Sequence, residues 1–189
     1  MFILYAIAIG LLLGRAFGGR LSGLASIQFH WPWLAIAGFA VQVALFSAQV
    51  RDGVGDAGPP IYVASTGAVL VAVLRNVRAP GLAMVALGAA SNLAAIVVNG
   101  GLMPTTQEAL AGAGMAIAPG FTNSSIVENP GLQPLTDLYA LPAWIPFANV
   151  FSLGDVLIAL GVVVVLVMGM RTSPAAPGGD AAPADAAPA

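Results

Sequence analysis

"NGGLMPTTQEAL", residues 99–110, separates two kinds of chain. Before it, "LAMVALGAASNLAAIVV" (82–98) carries no charge. That run is long enough to cross the hydrocarbon core of a bilayer, which takes roughly 17–25 residues at about 1.5 Å each. Asn99, Gly100 and Gly101 supply the left-handed backbone that stops a helix, and Pro104 keeps it from resuming. From Asn99 to Val150 the chain then contains neither lysine nor arginine. So long a cation-free stretch in so apolar a protein needs a reason.

The composition supplies half of it. Of 189 residues, 59% are hydrophobic and 7% charged, with a mean hydropathy of +0.93. Soluble domains carry roughly 25% charged residues, so water cannot be the solvent over most of this surface. A net charge of −2 gives no footprint for a nucleic-acid partner. There is no cysteine, which excludes disulfides, thiolate metal sites and cysteine nucleophiles. There is no lysine for Schiff-base chemistry, and His30 is the single histidine. No metal or cofactor signature is left.

Four more apolar runs accompany 82–98. They are "FILYAIAIGLLLG" (2–14), "WLAIAGFAVQVALFSAQV" (33–50), "IYVASTGAVLVAVL" (61–74) and "FSLGDVLIALGVVVVLVMGM" (151–170). The first reaches spanning length if Arg15 snorkels. No positive residue precedes it and no A-x-A site follows, so it reads as a retained span and not as a cleaved signal peptide. These runs predict an all-α integral membrane protein of five transmembrane helices, over about 2–17, 33–50, 60–75, 82–98 and 151–170. With the N-terminus outside and the C-terminus inside, Arg15, Arg20, Arg75, Arg78 and Arg171 all fall on the cytoplasmic side. Only Arg51, beside Asp52 and Asp56, falls outside. That is the positive-inside distribution, and it accounts for the missing cations of an extracytoplasmic loop 99–150.

The loop is too long for an idle connection. "GMAIAPGF" (114–121) and "LYALPAWIPFANVF" (138–151) are apolar and aromatic, so an ordered cap is expected, with Tyr139 and Trp144 at headgroup depth. Thr105 and Glu108 have capping-box spacing, which predicts a short helix over about 106–113. Pro142 and Pro146 prevent a sixth straight helix over 138–150 and leave room for a shallow re-entrant segment. Residues 172–189 hold no large apolar side chain and are predicted to be a disordered cytoplasmic tail beyond the domain 1–171.

Two groups flank the loop: Asn99, Gly100, Gly101 and Pro104 before it, Asn149, Ser152 and Asp155 after it. With Ser152 as N-cap, Asp155 stands at N3 beside the positive end of the helix dipole. Helix stop and helix cap are the plain readings. The further expectation is that the two groups meet as one polar floor under the loop, structural or ligand-binding. Within the spans, Gln42 and Gln49 are spaced to share a helix face, and Asn92 lies mid-span with Gly88 one turn before it. Interhelical hydrogen bonds explain these without a substrate, and close packing does the same for Gly10, Gly14 and Gly18. The strip 18–33, with Arg20, His30, Trp31 and Trp33, reads as a headgroup anchor. No spacing brings together any two of Glu108, Glu128, Asp137 and Asp155, so no catalytic residue is predicted.

"GGRLSGLASI" (18–27), "NGGLMPTTQEAL" (99–110) and "NVFSLGDVLIALG" (149–161), in that order among five spans, resemble a bacterial family of small integral membrane proteins classed only as a domain of unknown function. The resemblance covers roughly 1–171 and implies a bacterial cytoplasmic membrane protein without a known activity. The leading expectation for function is a non-enzymatic accessory or assembly subunit, in contact with the lipid bilayer and with other membrane subunits or a second copy. The alternative is a small-molecule or lipid carrier with a polar site under the outer loop. An outer-face lipid-active enzyme is the least favoured.

Overall fold

The computed structural model describes residues 2–116 and 120–172. From residue 173 on, the expected tail lies outside the described residues, as do positions 117–119 of the loop. The fold is mostly helical: α1 (Phe2–Ala16), α2 (Pro32–Leu45), α3 (Ala48–Arg51), α4 (Gly58–Arg75), α5 (Leu82–Val98), α6 (Gln107–Gly112) and α7 (Leu153–Arg171). Four two-residue strands, β1 (Pro104–Thr105), β2 (Ser125–Ile126), β3 (Tyr139–Ala140) and β4 (Val150–Phe151), tie the segment between α5 and α7 together.

Local chemistry sets the helix ends. Proline stands in the first turn of α2 and of α4, where its missing N–H costs nothing. Two helical stretches, residues 55–75 and 153–171, are long and apolar enough to cross a membrane, with mean hydropathies of 1.6 and 2.5. The other apolar helices are shorter: 15 residues in α1, 14 in α2 and 17 in α5. The second expected span, 33–50, is not continuous. Ser47 Oγ donates to the Ala44 carbonyl at 2.6 Å, a local bond that competes with the helical ladder, and α2 stops at Leu45. Gln49 therefore sits exposed on the separate α3 and shares no continuous face with Gln42.

In space the helices neighbour one another in the order α1, α7, α5, α4, α2. The last helix of the chain is thus inserted between the first and the fifth. Along α1 the contact is parallel: Phe2 stacks on Phe151 at one end (ring centroids 4.6 Å apart), and Gly14 meets Met170 at the other. Gly10 also faces α7, but Gly18 has φ +78° and nothing beside it, so it terminates the helix region and packs no partner. Along α5 the contact is antiparallel and closer. Gly88 lies on Gly154, and Gly81 on Gly161, with backbone against backbone. Small residues permit that approach where side chains would hold the helices apart.

At the end where the described residues of 99–151 lie, Leu45, Tyr62, Ala95, Ile96 and Met103 form a buried cluster. Phe46, Tyr62 and Phe121 extend it as an aromatic group with centroids 5.1–6.3 Å apart. β1 pairs with β2 in parallel and β3 with β4 antiparallel, and α6 covers β4 through Ala109, Leu110 and Ala113 against Val150. The N-cap of α6 is Thr106, not Thr105: its hydroxyl accepts from Ala109 N at 3.1 Å. Thr105 is instead the last residue of β1, and its hydroxyl is turned toward the Asp137 carbonyl, to which it donates at 2.8 Å. At the opposite end a 3₁₀ turn, Leu21–Ser26, wraps the end of α7, with Arg20 N donating to the Met170 carbonyl. Large apolar side chains stand exposed along the helices, among them Leu12, Ile36, Val43 and Leu87, each more than 60% accessible. Water does not favour a surface of that kind.

Candidate functional site

The site is organised by Asn92. It lies six residues before the end of α5, so about 9 Å below the loop end of that helix. α7 begins beside it, at that depth. Ser152 Oγ donates to Asn92 Oδ1 (2.8 Å), and Asn92 Nδ2 donates to Asp155 Oδ1 (2.8 Å). Ser152 N donates to Asp155 Oδ2, and Asp155 N donates to Ser152 Oγ, both at 3.0 Å. This is a reciprocal capping box with a third member supplied by another helix. Gly154 and Gly88 make it geometrically permissible, since a Cβ on Gly154 would collide with Asn92 Oδ1.

The motif that stops α5 works elsewhere. Asn99 Nδ2 donates to the carbonyls of Ala95 (2.7 Å) and Gly131 (2.9 Å), while its Oδ1 accepts from Gly131 N (2.8 Å). Gly100 and Gly101 both have positive φ, and Gly101 is pressed on Pro59 of α4. The buried Pro104 then starts β1, and its carbonyl accepts from Asp137 N at 2.9 Å. Asn99 and Asp155 thus belong to separate hydrogen-bond groups. What the first group does is hold the chain that carries Asp137.

Asp137 is 3% exposed, and Ser124 Oγ donates to its Oδ2 at 2.7 Å. Burial pushes its carboxyl up to about 7; the Ser124 bond works against this, and the nearby Asp155 charge adds to it. Asp137 and Asp155 line one cavity of about 180 Å³, together with Asn123, Asn149, Phe2, Ile3, Val150 and Ile158. Asn123 and Asn149 also line a wider cleft of about 440 Å³ that reaches Arg51, Thr122, Ser124 and Ser125. The cleft's lining is mixed, with Phe46, Leu110, Met115 and Ile126 beside the hydroxyls, amides and Arg51, while the smaller cavity holds the two acids.

Sequence spacing brought no two acids together, whereas the fold puts Asp137 and Asp155 on one cavity wall. Of the residues singled out beforehand, Asp155 and Asn149 line it, and Asn92 and Ser152 hold Asp155 by hydrogen bonds. Asn99, Gly100, Gly101 and Pro104 support it from outside. Gln42 Nε2 donates to Thr66 Oγ1 at 3.2 Å, an α2–α4 tie remote from the cavity, and Gln49 takes no part. Asn123 and Ser124 carried no signal in the sequence. Asp137 carried a weak one, as an acid with no cation anywhere in its own loop. Among the described residues no group of three or more His, Asp or Glu forms a metal cluster.

The raised Asp137 group predicts a pH effect on stability. Its folded state holds the proton more tightly than the unfolded chain, so its contribution is complete below about pH 4 and is lost as pH rises to about 7. The slope across that window is up to about 1 kcal/mol per pH unit. Thermal unfolding of the solubilised chain should give a higher midpoint at pH 5 than at pH 8. Asp137→Asn should flatten the difference; an unchanged slope in that variant would assign it to other groups.

No curated protein and no solved structure matches this chain. A family model does, over residues 26–167, and the chain belongs to that family of unknown function, DUF5317.

Proposed function

We propose that this is a five-span protein of the bacterial cytoplasmic membrane whose outer loop and helix row enclose a binding site for a small polar molecule bearing a positive charge. One observation carries the reading: Asp137 and Asp155 line a single cavity that shares Asn123 and Asn149 with a wider cleft of mixed lining. Irregular backbone within a bilayer is tolerated where it is buried in protein or lines a cavity, which suits the start of α7 about 9 Å below the end of α5. Acidic side chains facing a cavity inside the protein favour a ligand that supplies charge or hydrogen-bond donors. The positive-inside distribution of arginines supports the orientation.

The subunit reading stays as the second. Trp33, Ile36, Phe39 and Val43 on the end helix α2 are more than half exposed and form a flank that another membrane protein could cover. Native mass spectrometry after gentle extraction from the protein's own membranes separates the two. A small molecule retained by the natural chain and lost from Asp137→Asn supports the binding reading. A stoichiometric protein with no small molecule replaces it with the subunit reading.

A further inference from the structure

At the end of the molecule opposite the loop, a cleft of about 450 Å³ is lined by Gln28, His30, Arg75, Asn76 and Arg78, with Leu74, Val77 and Ala79 completing its wall. We propose that this cleft binds the phosphate of an anionic phospholipid, with Arg75 and Arg78 as its ligands. The site is separate from the acidic cavity and owes nothing to it.

Three observations point there. First, the charge is uncompensated. Among the described residues the single ion pair is Arg51 with Asp52, so neither Arg75 nor Arg78 has a carboxylate partner. The two are three residues apart, on either side of Asn76 and Val77, and both line the same cleft. Planar guanidinium forks match phosphate oxygens, and two of them suit a single phosphodiester.

Second, the cleft is preorganised. Asn76 is 7% exposed and fastens the adjoining segment by its backbone: His30 N donates to Asn76 Oδ1 (2.7 Å), and Asn76 Nδ2 donates to His30 O (2.8 Å) and Ala72 O (2.7 Å). The His30 ring nitrogen Nδ1 lies 3.3 Å from the same Oδ1. Next in the chain, Trp31 takes a left-handed conformation (φ 58°), which is costly for a bulky residue. In that conformation its ring lies under the Arg75 guanidinium, 5.9 Å from the centroid. The cation–π contact helps to hold the Arg75 guanidinium in place.

Third, the wall is mixed. Leu74 and Val77 are exposed beside the arginines, and so is Trp31. Free phosphate would have no use for that apolar rim, whereas a headgroup continues into acyl chains. Basic pockets at the cytoplasmic ends of helices are recognised lipid sites on these grounds.

The test is native mass spectrometry of the full chain in detergent with phosphatidylglycerol, phosphatidylcholine or inorganic phosphate added. One phosphatidylglycerol per chain should survive, with phosphatidylcholine retained far less. Arg75→Gln with Arg78→Gln should weaken retention by about tenfold per guanidinium, while the charge-matched Arg15→Gln with Arg171→Gln should leave it within about twofold. If the double variant does not fold, Arg78→Gln alone carries the test, since Arg78 stands outside the Trp31 stack. Equal losses in both pairs would mean general surface charge and overturn the site. Displacement of the lipid by inorganic phosphate at comparable concentration would make the ligand free phosphate and overturn the lipid assignment. No stoichiometric retention of either would overturn the proposal entirely.

Discussion

Gly154→Ala is expected to destabilise the protein by about 3 kcal/mol or more. The sign is not obvious from helix chemistry, because alanine in place of glycine ordinarily gains up to about 1 kcal/mol in a helix. At this position the new Cβ would occupy the space of Asn92 Oδ1 and crowd the Gly88 carbonyl. Overpacking of that kind costs about 1–3 kcal/mol, and displacing Asn92 adds the loss of hydrogen bonds to Ser152 and Asp155 at about 1–3 kcal/mol for each buried group left unpaired. Collision and unpaired groups outweigh propensity. Gly67→Ala in α4 is the control, since nothing lies within 4 Å of a Cβ there, and it should be neutral or mildly stabilising. The measurement is thermal unfolding in detergent. Equal midpoints for the two variants would mean that α5 and α7 are free to separate at this seam.

The second large effect concerns Asp155→Asn. If Asp155 only neutralised a helix dipole, the change would cost a few tenths of a kcal/mol. The geometry demands more. Asp155 accepts through both oxygens, Oδ1 from Asn92 Nδ2 and Oδ2 from Ser152 N. An amide has one acceptor oxygen, so in either orientation its NH₂ confronts a donor. The expected loss is about 2–3 kcal/mol. The exchanged pair, Asn92→Asp together with Asp155→Asn, restores every bond: the carboxylate at 92 accepts from Ser152 Oγ and from the amide at 155, whose oxygen accepts from Ser152 N. The pair should therefore recover at least about 1 kcal/mol relative to the sum of the single changes. Additive losses would show that the four-bond network is not a stability element. The exchange also moves the negative charge from α7 to α5, so a ligand held by Asp155 should not return with stability.

Most of the helix boundaries were legible because they depend on neighbours in sequence. Pro32, Pro59 and Pro60 open helices, Asn99 and the glycines after it close one, and Ser152 with Asp155 caps another within four residues of chain. Where two local solutions compete, the sequence was a poorer guide. Thr105 and Thr106 are both good caps, and the choice fell on Thr106 because Thr105 is drawn into β1 against Ile126 and Asp137, 21 and 32 residues away. Ser47 broke a helix that composition alone would have carried to Val50.

By itself, then, the sequence determined a mostly helical, strongly apolar chain and the ends of most of its helices. These follow from composition and from interactions spanning a few residues. The tertiary structure alone decided that α7 lies between α1 and α5, that it starts beside Asn92, and that Asp137 and Asp155 line one cavity. Those outcomes depend on how closely Gly88 and Gly154 let two backbones approach and on where hydrogen bonds close across 32 to 63 residues of chain. No local pattern encodes such distances, because the groups acquire their partners only when the helices pack.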